Sequence, residues 1–208
     1  MRVGFKSLVL AGTLVIAVAC TDSAGPGNGG GPRPLDSLNI LHFAQGAPPL
    51  AEDSVSFYAV FGQEREGKIM LAGNAGDEEF LSFKVGDLSL LRDSTGHVFA
   101  LGDSVLITIK PVNADSFYFE FRPAGLVFNP ASPAQLELHY NHAGNQLEGD
   151  FNGDDQVDST DNEIETMLDL WVQAKPGDPF TRLSVLVELT LDEVEAEIPH
   201  FSRFALAY

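Results

Sequence analysis

Apolar and polar residues alternate along most of the chain between Ser54 and Tyr140, in runs of seven to nine residues: SVSFYAVF (54–61), EFLSFKV (79–85), SVLITIKPV (104–112), SFYFEFRP (116–123) and AQLELHY (134–140). Such alternation sends every second side chain to one face, as in strands with a single buried side. GQEREGK (62–68), RDSTGH (92–97), NAD (113–115) and NPASP (129–133) separate the runs and read as turns. No helices intervene to make parallel crossovers, so the pattern predicts a mainly β fold, an antiparallel β-sandwich. Helical spacing enters once. Ile164, Met167, Leu168 and Trp171 fall at i, i+3, i+4 and i+7, which predicts a helix after Asp158 with Trp171 on its core face, stopped by KPGDP (175–179). RLSVLVELTL (182–191) and EAEIPHFSRFALAY (195–208) return to strand alternation and are expected to close the sandwich.

The first residues, MRVGFKSLVLAGTLVIAVAC, place Arg2 and Lys6 before an uncharged apolar run from Leu8 to Ala19. That is a secretory signal pattern, too short for a comfortable membrane span. Ala17, Val18, Ala19 and Cys20 resemble the lipobox of bacterial lipoproteins. The resemblance implies cleavage after residue 19, acylation of the Cys20 thiol and anchoring to membrane lipid. Cys20 is the lone cysteine of the chain, so an internal disulfide is excluded. Thr21 follows it, without the Asp that retains some lipoproteins at an inner membrane, so an outer-membrane location in the cell envelope is expected.

Residues 20–34, CTDSAGPGNGGGPRP, read as the lipidated cysteine and a flexible spacer of on the order of 20 Å. Loss of residues 1–19 removes two of the 12 basic residues and none of the 30 acidic ones, leaving a formal charge of −20. Nucleic acid is therefore excluded as an expected partner. Residues 35–208 suffice for one sizeable core, with an inserted loop and helix at 150–174. The protein or glycan partner of such a module is not specified by any motif.

Chemistry concentrates at Asp150–Asp161, DFNGDDQVDSTD, where twelve positions hold five aspartates and no basic residue. A twelve-residue Ca²⁺ loop takes its oxygens from positions 1, 3, 5, 7, 9 and 12. Counted from Asp150, these are Asp150, Asn152, Asp154, Gln156 (through its backbone carbonyl), Asp158 and Asp161. Val157, at position 8, is expected to turn inward. Capping of the helix start explains one or two of these acids, not five. Two carboxylates about 4 Å apart repel by roughly 4 kcal/mol at an effective dielectric of about 20, so the loop is expected to open without a cation. The number of protein oxygens favours Ca²⁺ over Mg²⁺. Loop followed by helix, with Asp161 at position 12, resembles one half of a dockerin. The chain departs from it in lacking a second repeat, so cohesin binding is not implied, and in placing Asp155 where Gly makes the sharp turn.

PAGLVFNPASPAQLELHY (123–140), with the terminal HFSRFALAY, resembles the ZU5 family of β-sandwich domains over roughly residues 80–208, interrupted by the acidic segment. The resemblance implies an interaction or scaffold module more than an enzyme. Some ZU5 relatives cleave themselves at a His-Phe-Ser triplet, which implies here an alternative in which His200 activates Ser202 and the Phe201–Ser202 bond breaks. His200 and Ser202, two apart in an expected strand, would share a face. His139 and His142, three apart, would face opposite sides and make a weak zinc pair. No hydrolase elbow, phosphate loop or zincin helix occurs. The resulting expectation is a non-enzymatic, calcium-binding envelope lipoprotein acting as a binding or structural module.

Overall fold

A computed structural model describes residues 31–73, 78–183, 185–189 and 191–208. The signal segment, Cys20 and most of the spacer lie outside the described residues. The strands are β1 (Val55–Val60), β2 (Arg65–Leu71), β3 (Glu78–Val85), β4 (Leu90–Arg92), β5 (Ser104–Pro111), β6 (Tyr118–Arg122), β7 (Val127–Phe128) and β8 (Ala134–His139). After helix α1 (Ser159–Glu165) come β9 (Asp169–Gln173), β10 (Thr181–Leu183), β11 (Leu186–Glu188), β12 (Glu193–Ile198) and β13 (Arg203–Ala207). They form a mainly β fold of antiparallel sheets, one ordered β1-β5-β6-β13-β9-β10 and one β11-β12-β8-β3-β2, with β4 and β7 as a small separate pair.

Period-2 alternation builds the core between the two large sheets. Phe117, Phe119 and Phe121 point inward from the β6 segment and meet Phe80 and Phe83 of β3 across the gap. Phe83 also stacks on Phe128 and Phe201. Rings at these separations add edge-on and tilted contacts to the burial of large apolar area. A bulge sets the phase of β3: Ile69 pairs with Leu81 and Met70 with Glu79, so Phe80 is the extra residue. Phe80 thereby enters the core, and Glu79 reaches Lys68 on β2 at 2.6 Å.

The five alternating runs expected before Tyr140 are all strands. Three expectations fail. GQEREGK is not wholly a turn, because β2 begins at Arg65; a side chain at Gly67 would collide with the Phe57 ring on β1, so this glycine serves close packing inside a strand. The helix ends at Glu165, and Trp171 lies in β9, hydrogen-bonded between β13 and β10. Both faces of β9 are covered, Leu170 and Val172 by the main core and Trp171 by a second cluster with Leu38, Tyr118 and Phe180. A strand buried on both sides carries no alternation, and Trp171 falls at helical spacing from Ile164, Met167 and Leu168 by chance. Finally, EAEIPHFSRFALAY is two strands. Pro199–Ser202 carries the chain from the five-stranded to the six-stranded sheet and drops Phe201 between them. The folded part also starts before Leu35: Arg33 exchanges both backbone hydrogen bonds with Phe180 and lies over the Trp171 ring at 5.0 Å.

Phe83→Ala removes the ring that touches Phe121, Phe128 and Phe201, and is expected to lower unfolding free energy by about 3–5 kcal/mol. Urea denaturation followed by fluorescence measures this; a loss under about 1 kcal/mol would mean that the rings do not form one packed unit.

Candidate metal centre

The acidic segment connects β8 in one sheet to β9 in the other. It is fastened at several points. Tyr140 donates to Glu165 Oε1 at 3.0 Å, Tyr208 donates to the Phe151 carbonyl at 3.0 Å, and Ile164 and Leu168 are buried. Burial, then the hydrogen bond to Glu165, pushes the Tyr140 phenol up, so it remains a donor. Phe151, at loop position 2, packs against the main core. Val157 does not turn inward as expected; it is 55% exposed.

Within the loop, side-chain oxygens gather backbone N–H groups. Asp150 Oδ1 accepts from Gly153 at 2.7 Å and Asp154 at 3.2 Å, and its Oδ2 from Asp155 at 3.1 Å. Asp161 Oδ1 accepts from Phe151 at 2.8 Å and Asn152 at 3.2 Å, while its Oδ2 accepts from Asp158. Asp158 caps α1 through the Thr160 N–H, completing a reciprocal box with Asp161. Asn152 Oδ1 accepts from Asp154, and Asp154 Oδ1 from Gln156. Asp155 has φ 64°, the left-handed conformation that a sharp turn at position 6 requires.

Asp150 and Asp161 are 0% and 1% exposed. Among the described residues, neither has a Lys, Arg or His within 4.0 Å, nor do Asp154, Asp155 and Asp158. Burial pushes the Asp161 carboxyl up, but the N–H groups of Asp158, Asn152 and Phe151 outweigh it and hold the group below its ordinary value. The N–H dipoles orient both buried carboxylates without neutralising them. The donor set is all oxygen, which fits a hard divalent cation such as Ca²⁺. Asn152, Asp154 and Asp158, like Asp150 and Asp161, direct side-chain oxygens to neighbouring N–H groups.

The His-Phe-Ser triplet sits in the crossover rather than in a strand. His200 bridges to Val127, and the buried Ser202 hydroxyl donates to the Gln173 carbonyl. The Phe201 carbonyl accepts from the Gly125 N–H at 3.3 Å. His139 and His142 also separate: His142 lies 2.6 Å from Glu148 and 3.4 Å from Glu78, His139 3.3 Å from Glu137.

Among the described residues, the groupings with three His or carboxylate ligand atoms within 4.8 Å of one another lie outside the loop, at Glu79–Glu137–His139 and Glu137–Glu193–Glu195. Alternation in ELH and EVEAE assigns each set to one strand face, but the pairing of β8 with β12 that unites them has no sequence signal. Comparison with protein-family profiles, curated proteins and solved structures finds no match.

Because the folded-state pKa of Asp161 is depressed, its stabilising contribution is present above the unfolded value and lost as pH falls through the folded one. Melting in chelator is expected to weaken as pH drops below about 4, and Asp161→Asn to flatten that decline while lowering stability at neutral pH. An unchanged acid limb in the variant would remove Asp161 from this role.

Proposed function

We propose that the chain is a lipid-anchored, calcium-binding protein of the cell envelope, a non-enzymatic binding or structural module whose loop at 150–161 is completed by Ca²⁺. The observation that carries this reading is the pair of buried carboxylates, Asp150 and Asp161, with no cationic side chain beside either. Buried charges need a counter-charge, and breaking such compensation typically destabilises by about 3–5 kcal/mol. Asp150, Asn152, Asp154, Gln156, Asp158 and Asp161 supply oxygens only, and Asp155 makes the turn. The cation would tie the β8–β9 connection to the sandwich, holding together an element that spans both sheets.

The anchor rests on the apolar run before Cys20. Among the described residues no helix is long and apolar enough to cross a membrane. Acyl chains at about 0.8 kcal/mol per buried methylene would hold the protein on an outer membrane without one, while the acidic body stays clear of anionic lipid. Its partner is a protein or a glycan, not nucleic acid.

Self-cleavage between Phe201 and Ser202 is the weaker reading, since the Ser202 hydroxyl is turned to Gln173 rather than to His200. Intact mass after prolonged incubation is expected to equal that of the uncleaved chain; loss of the last seven residues would reinstate the alternative.

Extracellular sites of this type bind Ca²⁺ at about 10⁻⁴ to 10⁻³ M. At a Kd of about 10⁻⁴ M, millimolar Ca²⁺ adds about 1.4 kcal/mol, or roughly 3–6 °C in Tm for a domain of this size. A melt in Ca²⁺, in Mg²⁺ and in chelator is expected to give that rise for Ca²⁺ alone, abolished in Asp154→Ala. Three identical melts would refute the site.

A further inference from the structure

The outer face of the six-stranded sheet gathers three basic side chains, in a chain with 12 basic residues against 30 acidic ones. Register lines them up: Lys110 of β5 pairs with Glu120 of β6, Glu120 with Arg203 of β13, and Arg203 with Gln173 of β9. Phe119, Phe121, Val172 and Phe204 turn into the core between these positions, so Glu120, Arg203 and Gln173 belong to the outward face. All three cations converge on one carboxylate. Glu120 Oε2 is 3.0 Å from Arg122 Nη2 and 3.5 Å from Lys110 Nζ, and its Oε1 is 3.2 Å from Arg203 Nη2.

One acid cannot balance three bases. Burial works against the Glu120 carboxylate, but Arg203 and Arg122 outweigh it and hold the group below its ordinary value, so it stays ionised. Among the described residues no other carboxylate comes within 4.0 Å of Lys110, Arg122 or Arg203. The guanidiniums are also short of acceptors. Arg203 Nε is buried without a partner among the described residues, and Nη1 reaches only the Tyr118 hydroxyl at 3.5 Å. Arg122 gives Nε and Nη2 to Glu120, is 60% exposed, and keeps its remaining donors for the groove that it lines.

Two grooves flank Arg203 along the strand direction. One, of about 280 Å³, lies toward the far end of β6 and is lined by Arg122, Pro123, Gln173, Pro176, Ser202 and Arg203. The other, of about 260 Å³, lies toward Tyr118, with Pro34, Leu35 and Pro179 as apolar walls. Both include Gln173 and Arg203, so they form consecutive subsites. β6, β13 and β9 are each paired on both sides, and no free backbone edge is offered to an extended peptide.

We propose that these two grooves bind an acidic glycan of the uronate type, one sugar carboxylate pairing with Arg122 beside Arg203. The planar guanidinium fork matches a carboxylate through paired N–H groups. Apolar walls with a few fixed polar groups suit the C–H faces and hydroxyls of sugar rings. A ligand extending through both grooves uses more of the face than a single small anion does. The inference rests on reading the chain as a binding module and names its partner, but it shares no residue with the loop at 150–161.

Calorimetric titration of trigalacturonate into the full chain tests this, in chelator so that calcium bridging by the uronate is removed. Maltotriose and inorganic phosphate are titrated in parallel. One equivalent of saturable binding is expected for the acidic trisaccharide alone, weakened by added salt and by about tenfold or more in Arg122→Gln. The variant is expected to melt as its parent does in the same buffer, because Arg122 is exposed. Absence of binding, equal binding of maltotriose, or parental affinity in Arg122→Gln would overturn the proposal. Phosphate binding as tightly as the trisaccharide would overturn it too, reducing the face to a simple oxyanion site. The loop is read separately by the melt in Ca²⁺, so failure of either leaves the other standing.

Discussion

Between the two sheets the rings of Phe83, Phe121, Phe128 and Phe201 approach one another at 5.1–6.0 Å, and each comes from a different stretch of chain: β3, β6, β7 and the crossover before β13. Protein interiors are packed about as densely as organic crystals, so these rings fix the spacing and relative position of the sheets to within a fraction of a ring. Everything on the outside of the sandwich is held in place from this layer. The β3 bulge exists in the same frame: it turns Phe80 inward to the phenylalanines and leaves Glu79 paired with Lys68.

The connections that cross from one sheet to the other carry the unusual chemistry. Pro199–Ser202 inserts Phe201 into the ring layer, which ties its backbone to Leu126 and Gly125 and turns Ser202 toward Gln173. The β8–β9 connection is longer and buries two aspartates instead. A crossing segment leaves the ladder of both sheets, so its N–H groups need other acceptors. Asp150 and Asp161 supply these, satisfying six N–H contacts between them. The carboxylates organise the backbone, and in turn the loop acquires a buried negative charge that a cation is suited to balance.

The sandwich also carries a charge pattern of its own on the outer face of the five-stranded sheet. Strand order places β8 next to β12, so that Glu137 of β8 lies beside Glu193, Glu195 and Glu197 of β12. Lysines on β2 and β3 pair with Glu64, Glu66 and Glu79, within their own half of the sheet. The β8–β12 half is left with acids and one imidazole.

Alternation of apolar and polar residues was enough to place β1, β3, β5, β6 and β8 and to make the fold mainly β and antiparallel, because side-chain direction in a strand depends only on sequence parity. The turn position at Asp155 was legible for a similar reason, since it is set within a few residues, whereas the N-cap fell to Asp158, which the sequence had offered only as a ligand. Trp171 and Gly67 misled: one belongs to a strand covered on both faces, the other to a strand made narrow for Phe57, and neither circumstance is written locally. Val157 stayed outside, while Phe151 packs against the core. Residue chemistry, local turns and face assignments are properties of short stretches, so the sequence by itself determined them. The bulge phase, the crossover at His200–Ser202 and the meeting of Glu137, His139, Glu193 and Glu195 were decided only by tertiary structure, because each depends on which distant strand lies alongside and in what register.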